Sequence, residues 1–392
     1  MINDALLWVA NPVALSARVG GLTVLERQLH TLARAGLRRV WISTQQPAAA
    51  PAGQRLPAGL EIFWTSRTLG SQPAQCRPPY LVVSGNHFIR VATLAHIARH
   101  SDGRAAAYID ERKASVIQVV PERESGTAPG QPLPGGTCLS LPSPIRDAAT
   151  LDWLLADGSK SQDGFMARHF DRHISLTISR LLLDTPISPN MMTLLSCLVG
   201  LAGTAFFLIH SWGAHMAGAL LVWLHSVLDG CDGELARIRF QESRLGGDLD
   251  FWGDNLVHVS LFGCLAWGFA RADASVLPLL AGATATVGIL GSATLAYRQR
   301  AARRSGAAAS APESAGADAL LARVETILEQ RDFIYVLLVL AYFNSDLGCT
   351  YAFMWAGAVG VTLFFAMMLY LGREDRKRRY QNAQQFQPHS AG

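Results

Sequence analysis

Six long apolar segments between residues 190 and 371 limit the possible folds of this chain more than any other feature. A helix needs about 20 apolar residues to cross a bilayer. Five segments reach this length, and we expect the shorter one, 333–345, to extend beyond these limits. The sequence therefore predicts an all-α domain of six transmembrane helices, at residues 190–210, 213–235, 249–270, 276–297, 333–345 and 351–371.

The overall composition agrees with a chain that is partly embedded in a membrane. Half of the 392 residues are apolar and only 16% are charged, which argues against a disordered chain and against an ordinary soluble one. Lys and Arg number 34 against 30 Asp and Glu. Because no basic stripe with interleaved aromatic residues occurs, we expect no nucleic-acid partner.

The six cysteines and the N-terminus bear on the compartment. No two cysteines form a CxxC pair and three lie in the apolar segments, so reduced, buried thiols are expected rather than a zinc site or disulfides. The N-terminus has no basic region before a short apolar run, and we expect no signal peptide.

The first 145 residues show a different pattern, in which short apolar runs alternate with helical periodicity. Leucines at helical spacing precede Gly36, where a helix is expected to stop, and a second helix is expected at 91–100. This alternation predicts a small, mainly parallel α/β domain at residues 1–145, with a Pro- and Gly-rich loop at 121–144. The predicted strands are 5–10, 39–43, 60–64, 80–84, 105–109 and 115–120.

Residues 146–185 connect the two domains. A short helix is expected at 148–156, and 166–184 mixes arginines with regularly spaced apolar residues. This mixture predicts an amphipathic helix lying in the membrane interface. A soluble connecting helix is the alternative.

Basic residues indicate the orientation of the membrane domain, which we place at 186–375. Arginines cluster before the first span, at 237–244, at 298–304 and at 373–379, whereas the opposite side carries only Arg271. The basic side is expected to be cytoplasmic, and an even number of spans places both termini there. We therefore predict a multi-pass protein of the inner or plasma membrane, with a flexible cytoplasmic loop at 305–319 and a basic cytoplasmic tail at 376–392.

The ends of the second and third predicted spans contain carboxylates that a bilayer should reject. Asp229 and Asp232 are three residues apart and share one helix face, and Asp250 and Asp254, four apart, do likewise. Two antiparallel helices joined near 241–246 would direct these four carboxylates to one point.

Four converging carboxylates repel one another unless cations lie among them. Oxygen ligands favour Mg²⁺, Mn²⁺ or Ca²⁺ over zinc, and two such ions suit phosphoryl chemistry. Gly233 and Gly246 would allow a ligand close to the backbone. Arg237 offers a guanidinium group to a phosphate.

This pattern resembles the full signature of the CDP-alcohol phosphotransferases, whose eight positions are Asp229, Asp232, Gly233, Ala236, Arg237, Gly246, Asp250 and Asp254. The resemblance covers about residues 160–385 and implies transfer of a phospho-alcohol from a CDP-alcohol to an acceptor hydroxyl, with release of CMP. It implies that the four aspartates hold two Mg²⁺ or Mn²⁺ ions and that Asp254 is the catalytic base. It also implies that the other signature residues frame the nucleotide, and that the protein is a homodimer.

Several further residues have two interpretations each. Asn190 and Thr193, in a run that also resembles the family, lie near the nucleotide or serve only as cap and helix residues. Arg244 and Arg298 bind an acceptor phosphate, or are ordinary cytoplasmic-side charges. His225, like His258, is a polar packing residue or a catalytic one.

The α/β domain resembles the start of nucleotidyltransferases that make CDP- or NDP-activated alcohols, through residues 21–27, 35–37 and 80–89. It departs from them twice, because 11–15 replaces the glycine-rich phosphate loop and Asn86 replaces the metal-binding aspartate. We therefore interpret it as a degenerate nucleotidyltransferase-like domain with a scaffold or regulatory role.

The order of the two domains resembles bifunctional inositol-1-phosphate cytidylyltransferase/di-myo-inositol-phosphate phosphate synthases, as do residues 163–165, 168–169 and 331–333. This resemblance implies a CDP-inositol-like donor and a polyol or polyol-phosphate acceptor. Two alternatives stay open: a phosphatidyltransferase that uses CDP-diacylglycerol in phospholipid synthesis, and a non-enzymatic membrane scaffold.

Overall fold

A computed structural model describes most of the chain, as two compact units. Unit 1 comprises residues 1–159 with the short segments 180–186 and 236–241, and unit 2 comprises the remainder. The described residues are 2–9, 15–44, 56–65, 76, 78–101, 104–122, 128–134, 138–141, 148–157, 170–304, 333–343 and 347–385.

Unit 1 is built on a seven-stranded mixed sheet. Its strands are β1 (Asp4–Val9), β4 (Arg39–Thr44), β5 (Glu61–Thr65), β6 (Tyr80–Ser84), β8 (Ala106–Ile109), β9 (Ser115–Val120) and β10 (Gly130–Pro132). Two small antiparallel pairs join β2 (Arg18–Val19) to β3 (Leu22–Thr23) and β7 (His87–Phe88) to β11 (Leu139–Ser140). Three helices accompany the strands: α1 (Val24–Arg34), α2 (Val91–His100) and α3 (Ala148–Asp157).

The strand order is β10-β8-β9-β6-β1-β4-β5. The four strands β6, β1, β4 and β5 are parallel, which confirms the expected α/β character, whereas β9 runs antiparallel to both β6 and β8. The central strands are buried, with Leu7, Val40 and Leu81 fully inaccessible. Continuous apolar runs of this kind are typical of strands covered on both faces.

The 121–144 segment contains more structure than its composition suggested. The prediction of a loop there was wrong at β10 and β11, because each of these strands completes a sheet with residues distant in the chain. Gly130 pairs with Ala107, and Leu139 pairs with Phe88. Proline and glycine frequency reflects local conformational preference and carries no information on such pairing.

The start and the end of α1 follow from its local sequence. The hydroxyl of Thr23 accepts a hydrogen bond from the Glu26 amide, and the Glu26 carboxylate accepts one from the Thr23 amide, which forms a capping box. Gly36, with φ of 99°, follows the helix where the sequence predicted its end.

The two short segments of unit 1 are held by buried arginines. Arg27 of α1 donates to the carbonyl of Ile238 at 2.8 Å. Arg239 donates to the carbonyls of Leu182, Leu183 and Thr185 at 2.6–2.9 Å. The Arg27 bond joins segment 236–241 to α1. The Arg239 bonds join segments 236–241 and 180–186 to each other, and all of these residues belong to unit 1.

All six cysteines are free thiols. Cys76 of unit 1 is buried beside the sheet, and this burial raises the pKa of its thiol to about 12. The Cys76 side chain is therefore a neutral thiol at physiological pH.

Unit 2 is helical. Its helices are α4 (Arg172–Leu182), whose last three residues belong to unit 1, α5 (Pro189–Ala205) with a 3₁₀ turn at Phe206–Leu208, α6 (Trp212–Ile238), α7 (Arg244–Ala272), α8 (Leu277–Arg304), α9 (Phe333–Phe343) and α10 (Gly348–Gln385). Each of the six apolar segments overlaps one helix from α5 to α10 in the described residues.

Three of these helices are long and apolar enough to cross a membrane: Pro189–Leu208, Leu277–Ala302 and Gly348–Arg373. The apolar stretch Ile334–Phe343 is shorter. Helices α6 and α7 have 27 and 29 residues, but both contain the charged residues discussed above. The chain is therefore a membrane protein with a helical C-terminal domain, as its composition indicated.

Several predicted features fall wholly or partly outside the described residues. They are residues 11–14 of the segment that replaces the phosphate loop, residues 163–165 and 168–169, the loop 305–319, residues 331–332, and 386–392 of the tail.

Candidate active site

The acidic residues lie on two consecutive helices joined by a short turn. Helix α6 ends at Ile238, and Ser243 caps the start of α7 by accepting a hydrogen bond from the Gly246 amide at 3.0 Å. Phe240 in the turn has φ of 53°. The reversal of the chain here brings the two halves of the aspartate pattern onto neighbouring helices.

Three of the four aspartates form one cluster. Carboxylate oxygens of Asp229, Asp250 and Asp254 all lie within 4.8 Å of one another. Asp229 is 6% exposed, and the other two are partly buried. At such separations the carboxylates repel each other strongly unless a cation or a proton lies between them.

The donor set of this cluster fits a hard divalent cation. All three ligand atoms are carboxylate oxygens, which Mg²⁺ and Mn²⁺ prefer. Oxygens bound to opposite sides of one such ion lie about 4–5 Å apart, given ligand distances of about 2.0–2.5 Å. The observed spacing of Asp229, Asp250 and Asp254 satisfies this condition.

Asp232, the fourth aspartate, lies outside this group of three. It is buried and accepts a hydrogen bond from the hydroxyl of Thr193 on α5. The same hydroxyl also contacts the carbonyl of Pro189 at 3.2 Å. Thr193, predicted to lie near the nucleotide, therefore contacts an aspartate of the site and orients it.

Asn190 and Gly246, two of the predicted nucleotide residues, lie against each other. A Cβ atom at Gly246 would be 2.9 Å from Oδ1 of Asn190 and 3.1 Å from Oγ of Ser243. Gly246 thus allows the start of α7 to approach the start of α5 closely. Gly233, Ala236 and Arg237 are partly buried in the last turns of α6.

His225 is a residue of the site that sequence reasoning left undecided. It is 2% exposed, its Nδ1 lies 2.9 Å from the carbonyl oxygen of Ser196, and its Nε2 lies 3.6 Å from Oδ1 of Asp254. The sequence feature that could have identified His225 as a residue of the site is its position one turn before Asp229 on α6. The Ser196 carbonyl requires a proton on Nδ1 and so fixes the ring orientation toward Asp254.

The two predicted acceptor arginines lie in different places. Arg244 is exposed at the start of α7. Arg298 lines a cavity of about 380 Å³ between α8 and α10, together with Leu295, Gln299 and Met368. No contact between either arginine and the aspartates occurs among the described interactions.

Asp248 belongs to α7 but has other partners than the cluster. Its carboxylate accepts hydrogen bonds from the hydroxyl of Tyr297 and the guanidinium of Arg304, each at 3.4 Å. This aspartate therefore links α7 to α8 and provides an internal control for the acidic residues of the site.

The close packing beside Asp254 gives a first testable prediction. Gly253 is buried, and a Cβ atom there would collide with Sγ of Cys197 on α5. We expect Gly253→Ala to lower the thermal unfolding midpoint and the activity of the site, since overpacking costs about 1–3 kcal/mol.

The double variant Gly253→Ala/Cys197→Ala removes the colliding sulfur and should regain most of the loss. Thermal unfolding in detergent measures both variants. If the single variant unfolds at the wild-type temperature, the packing described here is wrong.

Comparisons with known proteins concern the part of the chain that contains helices α6 and α7. Residues 186–364 match the family model of the CDP-alcohol phosphatidyltransferases. A bifunctional IPC transferase and DIPP synthase of Rubrobacter xylanophilus is 40% identical over 136 residues, which are 34% of this chain and 30% of that protein. A phosphatidylinositol phosphate synthase of Mycobacterium bovis is 31% identical over 106 residues, 27% of this chain and 48% of that protein.

A crystal structure of Mycobacterium tuberculosis phosphatidylinositol phosphate synthase with CDP-DAG bound is also similar. It is 22% identical and covers 50% of this chain and 92% of its own, with a TM-score of 0.39. The chain spans less than a third of the length of the bifunctional relatives it matches. The family model thus identifies residues 186–364 as a CDP-alcohol phosphotransferase domain.

Proposed function

We propose that this chain is an integral-membrane CDP-alcohol phosphotransferase. It transfers a phospho-alcohol from a CDP-inositol-like donor to a hydroxyl of a polyol phosphate and releases CMP. The observation that carries the proposal is the convergence of Asp229, Asp250 and Asp254 within 4.8 Å, on the two helices of the matched domain.

The four aspartates would hold two divalent cations, Mg²⁺ or Mn²⁺. Such ions, when bound, neutralise the diphosphate of the donor and stabilise the charge on the departing CMP. Asp229, Asp250 and Asp254 supply the converging oxygens, and Thr193 orients Asp232 beside them. A carboxylate-only donor set, with no cysteine in the cluster, supports this choice of ion.

Asp254 is the proposed base. It accepts the proton of the acceptor hydroxyl while that oxygen forms a bond to the β-phosphorus of the donor. The bond between the β-phosphorus and the bridging oxygen breaks, and its electron pair leaves with CMP. When both nitrogens of His225 carry a proton, Nδ1 donates to the Ser196 carbonyl and the imidazolium attracts the Asp254 carboxylate, which keeps it in place. Positioning and charge neutralisation account for most of the catalysis in such transfers.

The remaining signature residues bind the donor in this proposal. Gly233, Ala236 and Gly246 give the nucleotide access to the backbone, and Arg237 binds a phosphate through its guanidinium group. Asn190 and Thr193 belong to the same nucleotide region, and Arg244 and Arg298 are the proposed acceptor-phosphate residues. Exposure of Arg244 and the cavity beside Arg298 support access by a ligand.

The same proposal covers the architecture. Helices α5 to α10 are six spans of a domain at 186–375, with both termini cytoplasmic and with two copies forming a homodimer. The α/β domain at 1–145 is a degenerate nucleotidyltransferase-like module with a scaffold role. Its strand order, in which β1 lies between β4 and β6, supports a nucleotide-binding ancestry.

Donor choice is the second prediction. We expect purified protein with Mg²⁺ and inositol phosphate to release CMP at least tenfold faster from CDP-inositol than from CDP-diacylglycerol. The relatives named as bifunctional IPC transferase and DIPP synthase, at up to 41% identity, support this order. Chromatographic quantification of CMP measures both rates under one condition.

A second candidate function rests on the phosphatidylinositol phosphate synthase relative, at 31% identity. Release of CMP only from CDP-diacylglycerol would identify a phosphatidyltransferase instead. If no donor yields CMP while the protein still binds CDP, the chain acts as a membrane scaffold.

A further inference from the structure

Helix α4 and the residue before it carry a polar stripe on their buried side, and α4 has two large apolar side chains among its exposed residues. Asp171, Ser175 and Ser179, spaced by four residues, are 7%, 3% and 0% exposed. By contrast, Ile174 and Leu181 are 38% and 74% exposed. Buried polar side chains are costly unless they are hydrogen-bonded, so the polar stripe must have specific partners.

The partners of the stripe are on neighbouring helices of unit 2. Asp171 accepts hydrogen bonds from the indole of Trp223, at 3.2 Å, and from the hydroxyl of Tyr335. The hydroxyls of Ser175 and Ser179 donate to Oε1 and Oε2 of Glu234 at 2.8 and 2.7 Å. Trp223 and Glu234 both belong to α6, so α4 follows the helix that carries Asp229 and Asp232.

Glu234 is an acidic residue of α6 that the proposed reaction does not use. It is 2% exposed, and each of its oxygens accepts one serine hydroxyl. A buried carboxylate is costly unless hydrogen-bonded, and an apolar residue of similar volume would often be equally stable there. The stability of the fold therefore does not by itself explain why a carboxylate lies here. A requirement for one particular orientation of α6 does explain it.

The geometry of the three side chains restricts the orientation of α6. Two hydroxyls one helical turn apart can both reach one carboxylate only in a narrow range of rotations of α6 about its axis. Asp232 precedes Glu234 by two residues, and Asp229 precedes it by five. A rotation of α6 that releases the serines would also move both of these aspartates.

We propose that Ser175, Ser179 and Glu234 form a latch that fixes the rotation of α6 and thereby points Asp229 and Asp232 at the metal centre. The three are positioning residues, since none of them belongs to the aspartate cluster. The inference rests on the proposed function only in that the latch serves the same site.

The test uses variants of the full-length protein that separate position from stability. Glu234→Leu removes the carboxylate acceptor of two buried hydroxyls and should destabilise the fold. The triple variant Glu234→Leu/Ser175→Ala/Ser179→Ala replaces the carboxylate and both serine hydroxyls by apolar groups, which is close to neutral for these hydrogen bonds. Glu234→Gln keeps one accepted and one donated hydrogen bond. Thr177→Ala is the control, because the Thr177 hydroxyl bonds only the backbone of its own helix at 2.7 Å.

Mn²⁺ binding, measured by electron paramagnetic resonance without nucleotide, is the main readout. We expect the triple variant to unfold near the wild-type temperature but to bind Mn²⁺ about 10–100-fold more weakly. Glu234→Gln should lie within a few-fold of wild type, and Thr177→Ala should equal it. Should the triple variant fail to fold, Ser179→Ala alone is expected to weaken Mn²⁺ binding in the same direction.

Wild-type Mn²⁺ affinity in the folded triple variant, or in Ser179→Ala when only that variant folds, would overturn the latch. Absence of Mn²⁺ binding by the wild-type protein would overturn it as well. If wild type binds Mn²⁺ but releases no CMP from any donor, the proposed function fails while the latch is still decided by the Mn²⁺ titrations.

Discussion

Asp254→Asn is expected to reduce the rate of CMP release by about two to four orders of magnitude, the range that general-base catalysis contributes. Asparagine has nearly the same shape, so the packing around Gly253 and His225 should persist. It cannot accept the proton of the acceptor hydroxyl, and it removes one negative charge from a cluster whose oxygens lie within 4.8 Å of each other. Both effects act on the same step.

The matched control is Asp248→Asn on the same helix, whose carboxylate contacts Tyr297 and Arg304 instead of the cluster. Steady-state CMP release at saturating donor, with CDP binding measured separately, distinguishes loss of chemistry from loss of binding. An Asp254→Asn protein that keeps more than a tenth of the wild-type rate would rule out Asp254 as the base.

Removal of divalent cations is expected to abolish CMP release completely and reversibly. Without cations the carboxylates of Asp229, Asp250 and Asp254 repel one another at short range, and the donor diphosphate loses its counter-charge. EDTA should therefore stop the reaction, and Mg²⁺ or Mn²⁺ added in excess should restore it. Because binding to the folded state alone stabilises it, the same additions should raise the unfolding midpoint.

The affinity of the site for divalent cations should fall when the cluster loses a ligand. In Asp229→Asn the Mg²⁺ concentration for half-maximal rate should rise, whereas in Asp248→Asn it should stay at the wild-type value. Full activity in the presence of EDTA, measured after dialysis against the chelator, would contradict a metal-dependent site.

Much of the membrane domain was predictable because its signals are local. The length of each apolar segment indicated a helix, and spacings of three and four residues placed the aspartates on shared helix faces. The turn between the two helices brings Asp229 together with Asp250 and Asp254, as expected from two short segments that are adjacent in sequence.

Contacts between distant segments were not predictable from such patterns. The bond between Thr193 and Asp232 joins residues 39 apart, and those from Ser175 and Ser179 to Glu234 join residues 59 and 55 apart. The alternation of apolar and polar residues predicted an amphipathic helix but did not indicate which side of α4 is buried. Only the partners on α6 show that the polar side of α4 is buried.

The α/β domain shows the same limit. Its parallel strands follow from continuous apolar runs, whereas β10 and β11 follow from pairings with Ala107 and Phe88 that no local signal indicates. The antiparallel pairing of β9 with β6 likewise depends on the order of strands in the sheet, which no local signal indicates.

Measuring CMP and the new phosphodiester in one sample tests whether this site transfers a phospho-alcohol. Purified protein would be incubated with Mg²⁺, inositol phosphate and CDP-inositol, and in parallel with CDP-diacylglycerol. Equimolar CMP and phosphodiester, formed faster from CDP-inositol and at least about a hundredfold more slowly with Asp254→Asn, is the predicted result. CMP formed without any phosphodiester, or an intact donor in both reactions, would contradict the assignment of this site to phospho-alcohol transfer.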